Sequence, residues 1–363
     1  MKKHPNIVSP SLTVWGSTST QVSRQHCALC DSDGGFLYLA LQDRLFGAMG
    51  AWDLAKCGNR QCGLTWVDPM PCPEDIEKAY ANYYTHEAPE EGGQTGLLKR
   101  IYQAMKCGYL MGKYGYPISQ QSALLKTFGM LLYLFPLRRN DVDDGIRYLH
   151  ALPQGRLLDV GCGTGAWLLT MRELGWQVEG LDFDENAVQM ATLRGLTVHT
   201  GSLEAQSFPD ECFDVVTLNH VIEHLPDPVA TLAECRRILK KNGQLILSTP
   251  NSASLGHRIF KEHWRGLEPP RHLYLFGPAS MNALLTLAGF TKFSIQTRNS
   301  GYLWKHSFSL FKGEIESSLC IRLMMKVVPY LFTQLEQLVL IGKPGMGECL
   351  TVHAIKTVEA DKT

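Results

Sequence analysis

From Gly155 onward the chain alternates short apolar runs with longer mixed stretches. Arg156–Val160, Gln177–Asp182, Thr197–His199, Phe213–Asn219 and Gln244–Ser248 read as strands. The segments between them, Ala166–Leu174, Glu185–Leu193 and Pro228–Leu239, read as helices. Strands and helices in this rhythm predict βαβ units and a mostly parallel sheet, an α/β fold with helices on both faces. A helix over Met281–Ala288 and strands over Lys292–Thr297 and Glu348–Ile355 complete the pattern. Between those last two strands, residues 301–344 read as a helical, apolar insertion.

The first 155 residues have a different texture. Residues 1–25 are rich in Ser and Thr without a period and predict a loose tail. Residues 26–70 carry four cysteines in two pairs and turn signals such as Asp33-Gly34-Gly35. Residues 71–150 read as a helical, aromatic-rich linker or lid, broken by Pro117 and Pro136. The expected core domain therefore comprises 151–300 and 345–357.

With 363 residues and 45 % hydrophobic positions the chain can bury a full core. Its 35 basic and 35 acidic residues cancel, which argues against a nucleic-acid partner at whole-chain level. No apolar run is long enough for a spanning helix, and the basic start Met1-Lys2-Lys3 has no apolar segment behind it. Eleven cysteines, an odd and uneven set in a long chain, fit a reducing, cytoplasmic setting.

The strongest chemical signal is Asp159-Val160-Gly161-Cys162-Gly163-Thr164-Gly165, which joins a predicted strand directly to a helix. Such glycines let backbone approach a ligand at the carboxyl edge of a sheet. The third glycine comes one position earlier than in the dinucleotide fingerprint. The acid before the first suits a cationic ammonium and repels a pyrophosphate. The next strand ends on Asp182, where a carboxylate can accept both hydroxyls of a ribose.

Together these features resemble the class I S-adenosylmethionine-dependent methyltransferases, over about 150–300 and the final strand. The resemblance implies a Rossmann-like sheet of seven strands. It also implies that Asp159 meets the methionine end of S-adenosylmethionine, with Gly161, Cys162, Gly163 and Gly165 wrapping the cofactor. By the same resemblance Asp182 holds the ribose and Phe183 lies beside the adenine. Ser202 and Leu203 stand where many relatives have an adenine-binding Asp, and Asn219 and His220 sit at the tip of the fourth strand. No (Asp/Asn)-Pro-Pro-aromatic segment follows that strand, unlike in enzymes that methylate exocyclic amines of bases.

His220-Val221-Ile222-Glu223-His224 also spells the inverted zinc-protease signature H-x-x-E-H. Leu225-Pro226 would cut such a helix short, and Asp227-Pro228 looks like the cap of the next one. His224 and His272 are the candidates for a general base, with a helix-capping or core histidine bonded to backbone as the alternative for His224. Trp264 offers a stacking face and Arg271 a partner for phosphate or carboxylate, or both serve to pin the loop.

Cys27-x2-Cys30 and Cys57-x4-Cys62, 26 residues apart, have the spacing of a closed four-thiolate structural zinc site. The run from Cys57 to Pro69 resembles the zinc ribbon ahead of many bacterial methyltransferases, including sugar C-methyltransferases. The expected activity is methylation of a small-molecule or glycan-type acceptor at oxygen. An RNA methyltransferase, a C- or N-methylating enzyme and a silent binding module are the alternatives. Core packing of the apolar helices is favoured over peripheral membrane contact.

Overall fold

The structure is a computed structural model and describes residues 23–72, 76, 79–80, 96–118, 123–312, 332 and 334–357. Residues 1–22 of the expected tail, and Tyr83 and Tyr84, lie outside the described residues.

Strands β1 (Gly34–Leu41), β2 (Trp52–Cys57) and β3 (Thr65–Asp68) open the chain. Helices α1 (Leu97–Tyr109), α2 (Ala123–Gly129) and α3 (Pro136–Gly145) follow. Then come β4 (Arg156–Val160), α4 (Ala166–Glu173), β5 (Gln177–Asp182), α5 (Glu185–Leu193), β6 (Thr197–Thr200), β7 (Phe213–Asn219), α6 (Pro228–Ile238) and β8 (Leu239–Pro250). The remainder is α7 (Leu255–Phe260), β9 (Tyr274–Leu275), α8 (Pro278–Leu287), β10 (Lys292–Arg298), α9 (Gly301–Lys312) and β11 (Cys349–Ile355).

Seven strands form one sheet in the order β10-β11-β8-β7-β4-β5-β6. β4 through β8 run parallel, whereas β11 is wedged antiparallel between β8 and β10. Leu157, Leu158 and Val160 of β4 are buried because helices cover both faces of the sheet. Local chemistry sets the helix starts. Asp184 accepts the N–H groups of Asn186 and Ala187 at the head of α5, and Asp227 caps α6 ahead of Pro228. The chain order reverses at β4, with β5 on one side and β7 on the other. That reversal opens a crevice at the carboxyl ends of these strands.

A second sheet, β1-β2-β3-β9, is antiparallel. Its last strand comes from the loop after β8, so Thr65 pairs with Leu275 and Trp66 with Tyr274. The N-terminal segment is thus stitched into the body, although the sequence reads as a separate unit over 26–70. All four residues of β3 are buried by this arrangement. Arg271 reinforces it from the same loop, donating to both carboxylate oxygens of Asp43 at 2.7 and 3.0 Å.

The expected insertion is helical where described, over α9 and residues 334–342. It is tied down by two buried carboxyls. Trp304 donates to Glu336 at 2.6 Å, Glu336 accepts the N–H of Glu348, and Trp264 donates to Glu348 at 2.7 Å.

Candidate active site

The glycine loop leaves β4 with Gly161, Gly163 and Gly165 all in the left-handed region, at φ 73°, 53° and 74°. A side chain at Gly161 would strike Val221, and one at Gly165 would strike Leu196. Around Gly163 there is open space, so here the backbone itself faces the crevice. Its N–H donates to Asp182 Oδ2 at 2.7 Å, and Asp182 Oδ1 accepts the N–H of Asp184 at 3.0 Å. The tip of β5 is thereby locked to the loop. Burial raises the carboxyl pKa of Asp182, against the pull of these two N–H groups.

Asp159 is buried, and its partner was not evident in the sequence. Arg147 reaches it with both guanidinium nitrogens, one of them also donating to Thr217 at 2.6 Å. Thr217 in turn donates to Asp159 Oδ1 at 2.7 Å. Arg147 is stacked 3.5 Å over the Trp167 ring and has φ 50°. That backbone shape is rare outside glycine and leaves no periodic trace in the sequence.

Cys162 lies under the loop. Its sulfur fills the space that a side chain at Gly180 would need, and burial pushes the thiol pKa up, so it packs and does not react. Phe183 is exposed and meets the edge of Tyr80, ring centres 5.2 Å apart. Ser202 is exposed beside β6, and Leu203 is buried.

Asn219 ends β7, His220 follows it, and both line a cavity of about 210 Å³ together with Arg147, Tyr148, Ser248 and Arg298. His220 adopts φ 54°, held by its N–H bond to Ser248 at 2.8 Å. Its Nδ1 stands 3.4 Å from Glu223 Oε1. Glu223 is wholly buried, with no well-aligned donor on either oxygen among the described residues. Burial opposes its charge, yet His220, His224 and His272 around it hold its pKa down to about 2. The H-x-x-E-H segment forms only a 3-10 turn over Ile222–His224, not the helix of the protease signature.

The two proposed bases occupy different positions. His224 is half-buried, its Nδ1 2.8 Å from the Tyr80 hydroxyl and 3.0 Å from the Arg271 carbonyl. His272 is buried, donates Nδ1–H to the Gly266 carbonyl at 2.7 Å, and burial lowers its pKa to about 4. Trp264 is likewise enclosed, stacked on His257 with its N–H on Glu348, and shows no face to a ligand. Arg271 has 0 % side-chain exposure and spends its guanidinium on Asp43 and Glu268. Both side chains are thus engaged within the chain.

Cys27, Cys30, Cys57 and Cys62 converge, all four sulfurs within 4.8 Å of one another. The closest pairs are Cys27–Cys62 at 3.6 Å and Cys30–Cys57 at 3.4 Å. Tetrahedral zinc with Zn–S bonds of about 2.3 Å sets sulfurs about 3.8 Å apart, so the donor set fits that ion. The Leu29 N–H already points at Cys27 Sγ, as it would toward a thiolate.

The family model described as "Methyltransferase domain" matches residues 135–295, which hold the glycine loop, Asp182 and His220. Over 123 residues this part is 37 % identical to the ubiquinone biosynthesis O-methyltransferase of Hahella chejuensis, covering 32 % of this chain and 50 % of that protein. The protein of the same name from Albidiferax ferrireducens is 35 % identical over 114 residues, 29 % of this chain and 45 % of its own length. The chain spans about half the length of the curated relatives it matches. Among solved structures it is similar to an S-adenosylmethionine-dependent methyltransferase of Archaeoglobus fulgidus. That likeness has a TM-score of 0.42 at 21 % identity, over 63 % of this chain and 99 % of that one. Haemonchus contortus phosphoethanolamine N-methyltransferase 2, solved with S-adenosyl-L-methionine, gives 0.41 at 16 % identity, over 73 % and 61 %.

Proposed function

We propose that this protein transfers a methyl group from S-adenosylmethionine to the hydroxyl of a small-molecule or glycan-type acceptor. One observation carries the reading: the open backbone at Gly163, bonded to Asp182 at the switch point of the methyltransferase sheet. The names of the curated relatives support oxygen as the acceptor atom.

When bound, S-adenosylmethionine supplies an electrophilic methyl on a sulfonium. The residues fit it. Gly163 allows close approach, Asp182 keeps lone pairs for the ribose hydroxyls, and Phe183 offers a ring to the adenine. Asp159 is the carboxylate for the ammonium end, a role for which it must exchange Arg147. Leu203 then lines the adenine side with Ser202, and Asn219 closes the crevice opposite.

At the acceptor end His220 is better placed than His224 or His272 to take a hydroxyl proton. It faces the cavity, and the buried Glu223 carboxylate stabilises the imidazolium that forms. Holding the acceptor oxygen in line with the methyl supplies much of the acceleration. The four cysteines hold zinc as a closed structural site with no position for water.

Calorimetric titration with S-adenosylmethionine and S-adenosylhomocysteine tests this, beside Asp182→Ala. Binding of both ligands, weakened at least about tenfold in the variant, is expected. Absence of binding to the folded, zinc-loaded chain overturns the reading.

A second reading, RNA as the acceptor, draws on one feature. A cleft of about 680 Å³ between β2 and α7 is lined by Lys56, Arg60, Arg258 and Lys261 and by no acidic side chain among the described residues. A salt-dependent RNA shift that Arg258→Glu abolishes would favour it.

A further inference from the structure

The apolar stripe of α1 is only half used. Met105, Gly108 and Tyr109 are packed into the body, but Leu97, Leu98 and Ile101, one and two turns earlier on the helix, stand in solvent. Its partner α2 and the 3-10 turn after it repeat the pattern. Gly108 and Gly129 let the two elements cross in backbone contact, and Leu132 is buried. Leu124, Met130, Leu131, Leu134 and Phe135 remain exposed, Leu98 and Leu124 at more than 80 %. Isolated exposed leucines need no explanation, whereas this concentration in one helical hairpin does.

Charge supplies the second observation. Residues 96–139 hold seven Lys or Arg and no Asp or Glu, in a chain whose net charge is zero. Lys113 is committed to the buried Asp143, and Arg138 lies 4.0 Å from Asp141. Lys99, Arg100 and Lys126 are exposed and border the apolar positions directly. Among the described residues no helix is long and apolar enough to cross a membrane. Exposed leucines bordered by cations are instead the composition of a helix lying in the headgroup layer.

We propose that the α1–α2 hairpin is a docking surface for an anionic lipid bilayer, with Leu97, Leu98, Leu124 and Leu134 entering the interface and Lys99, Arg100 and Lys126 meeting the headgroups. Sequence patterning favours packing for these helices; the structure packs one side of them and leaves the other without cover among the described residues. The assignment stands apart from the methyl-transfer reading, since vesicle binding needs no cofactor.

The test is flotation of the full zinc-loaded chain with vesicles of phosphatidylcholine alone and with one part in three phosphatidylglycerol. Binding to the anionic vesicles, reduced by salt, is expected. Leu98→Ser with Leu124→Ser and Leu134→Ser should weaken it at least about tenfold, as should Lys99→Glu with Arg100→Glu and Lys126→Glu. Zinc content and S-adenosylmethionine titration on the same samples separate a failed fold or failed cofactor reading from a failed surface. Lack of vesicle binding by the wild type overturns the proposal, as does binding that the leucine variant retains. A dimer in light scattering that the leucine variant converts to monomer overturns it too, making the face an interface between copies.

Discussion

Arg147 lies across Asp159, one guanidinium nitrogen on each carboxylate oxygen, with the Thr217 hydroxyl as a third partner. The acid at the head of the glycine loop is thereby neutralised from within the chain. Arg147→Ala leaves that carboxylate buried and uncompensated, a loss of about 3–5 kcal/mol for a pair this enclosed. The cofactor's ammonium can then take the vacated position without displacing a side chain. S-adenosylmethionine should therefore raise the melting midpoint of Arg147→Ala more than that of the wild type. Equal shifts would show that Arg147 and the ligand do not compete for Asp159.

In the proposed transfer Glu223 would act through His220, 3.4 Å away, as a positioning residue, and Glu223→Gln would remove the charge that stabilises the imidazolium. The carboxyl, held down to about 2, stays ionised across the working pH range. The substitution should lower kcat roughly a hundredfold, move the acidic, ascending arm of its pH profile to lower pH and leave KM for S-adenosylmethionine unchanged. An unchanged pH profile would reduce Glu223 to a packing role.

Glu336 and Glu348 bring two carboxyls together under the insertion, and burial pushes them up to about 8 and about 7. The folded chain then binds more protons than the unfolded chain from pH ~4.5 up to about 8. Stability contributed by the protonated pair is complete below that window and lost as pH rises through it, by up to about 1.4 kcal/mol per pH unit for each group. Glu336→Gln should flatten this slope in denaturant melts recorded between pH 5 and 9. A slope identical to wild type would refute the assignment.

Zinc removal should loosen more than the four cysteines. β3 pairs with β9, so the four-cysteine segment and the loop carrying Arg271 share one sheet. Chelation, or Cys57→Ser, is expected to lower the melting midpoint and change the fluorescence of Trp66. Metal analysis should find one zinc per chain, released as falling pH protonates the thiolates. A chain that melts identically with and without metal would mean the thiols are unligated.

The alternation of strands and helices, the glycine loop and the cysteine spacing were all legible in the chain, because each depends on local periodicity or on neighbours a few residues apart. The seven-stranded, mostly parallel sheet, Asp182 at its strand tip and the convergence of Cys27, Cys30, Cys57 and Cys62 follow from such short-range signals. What only the tertiary structure decided are partners distant in sequence. Examples are Arg271 with Asp43, Tyr80 with His224, Trp264 with Glu348, and Tyr274 pairing with Trp66. In a linear reading His272 is a candidate base, and Trp264 and Arg271 are open between meeting substrate and pinning the loop, since their types suit either role. Their burial, and partners such as Asp43 for Arg271 and Glu348 for Trp264, come from segments distant in the chain. His220 and Arg147 gain their place at the cavity from backbone conformations that residue type does not announce. Exposure of the α1–α2 hairpin belongs to the same class, because an apolar stripe has one pattern whether a neighbour covers it or not.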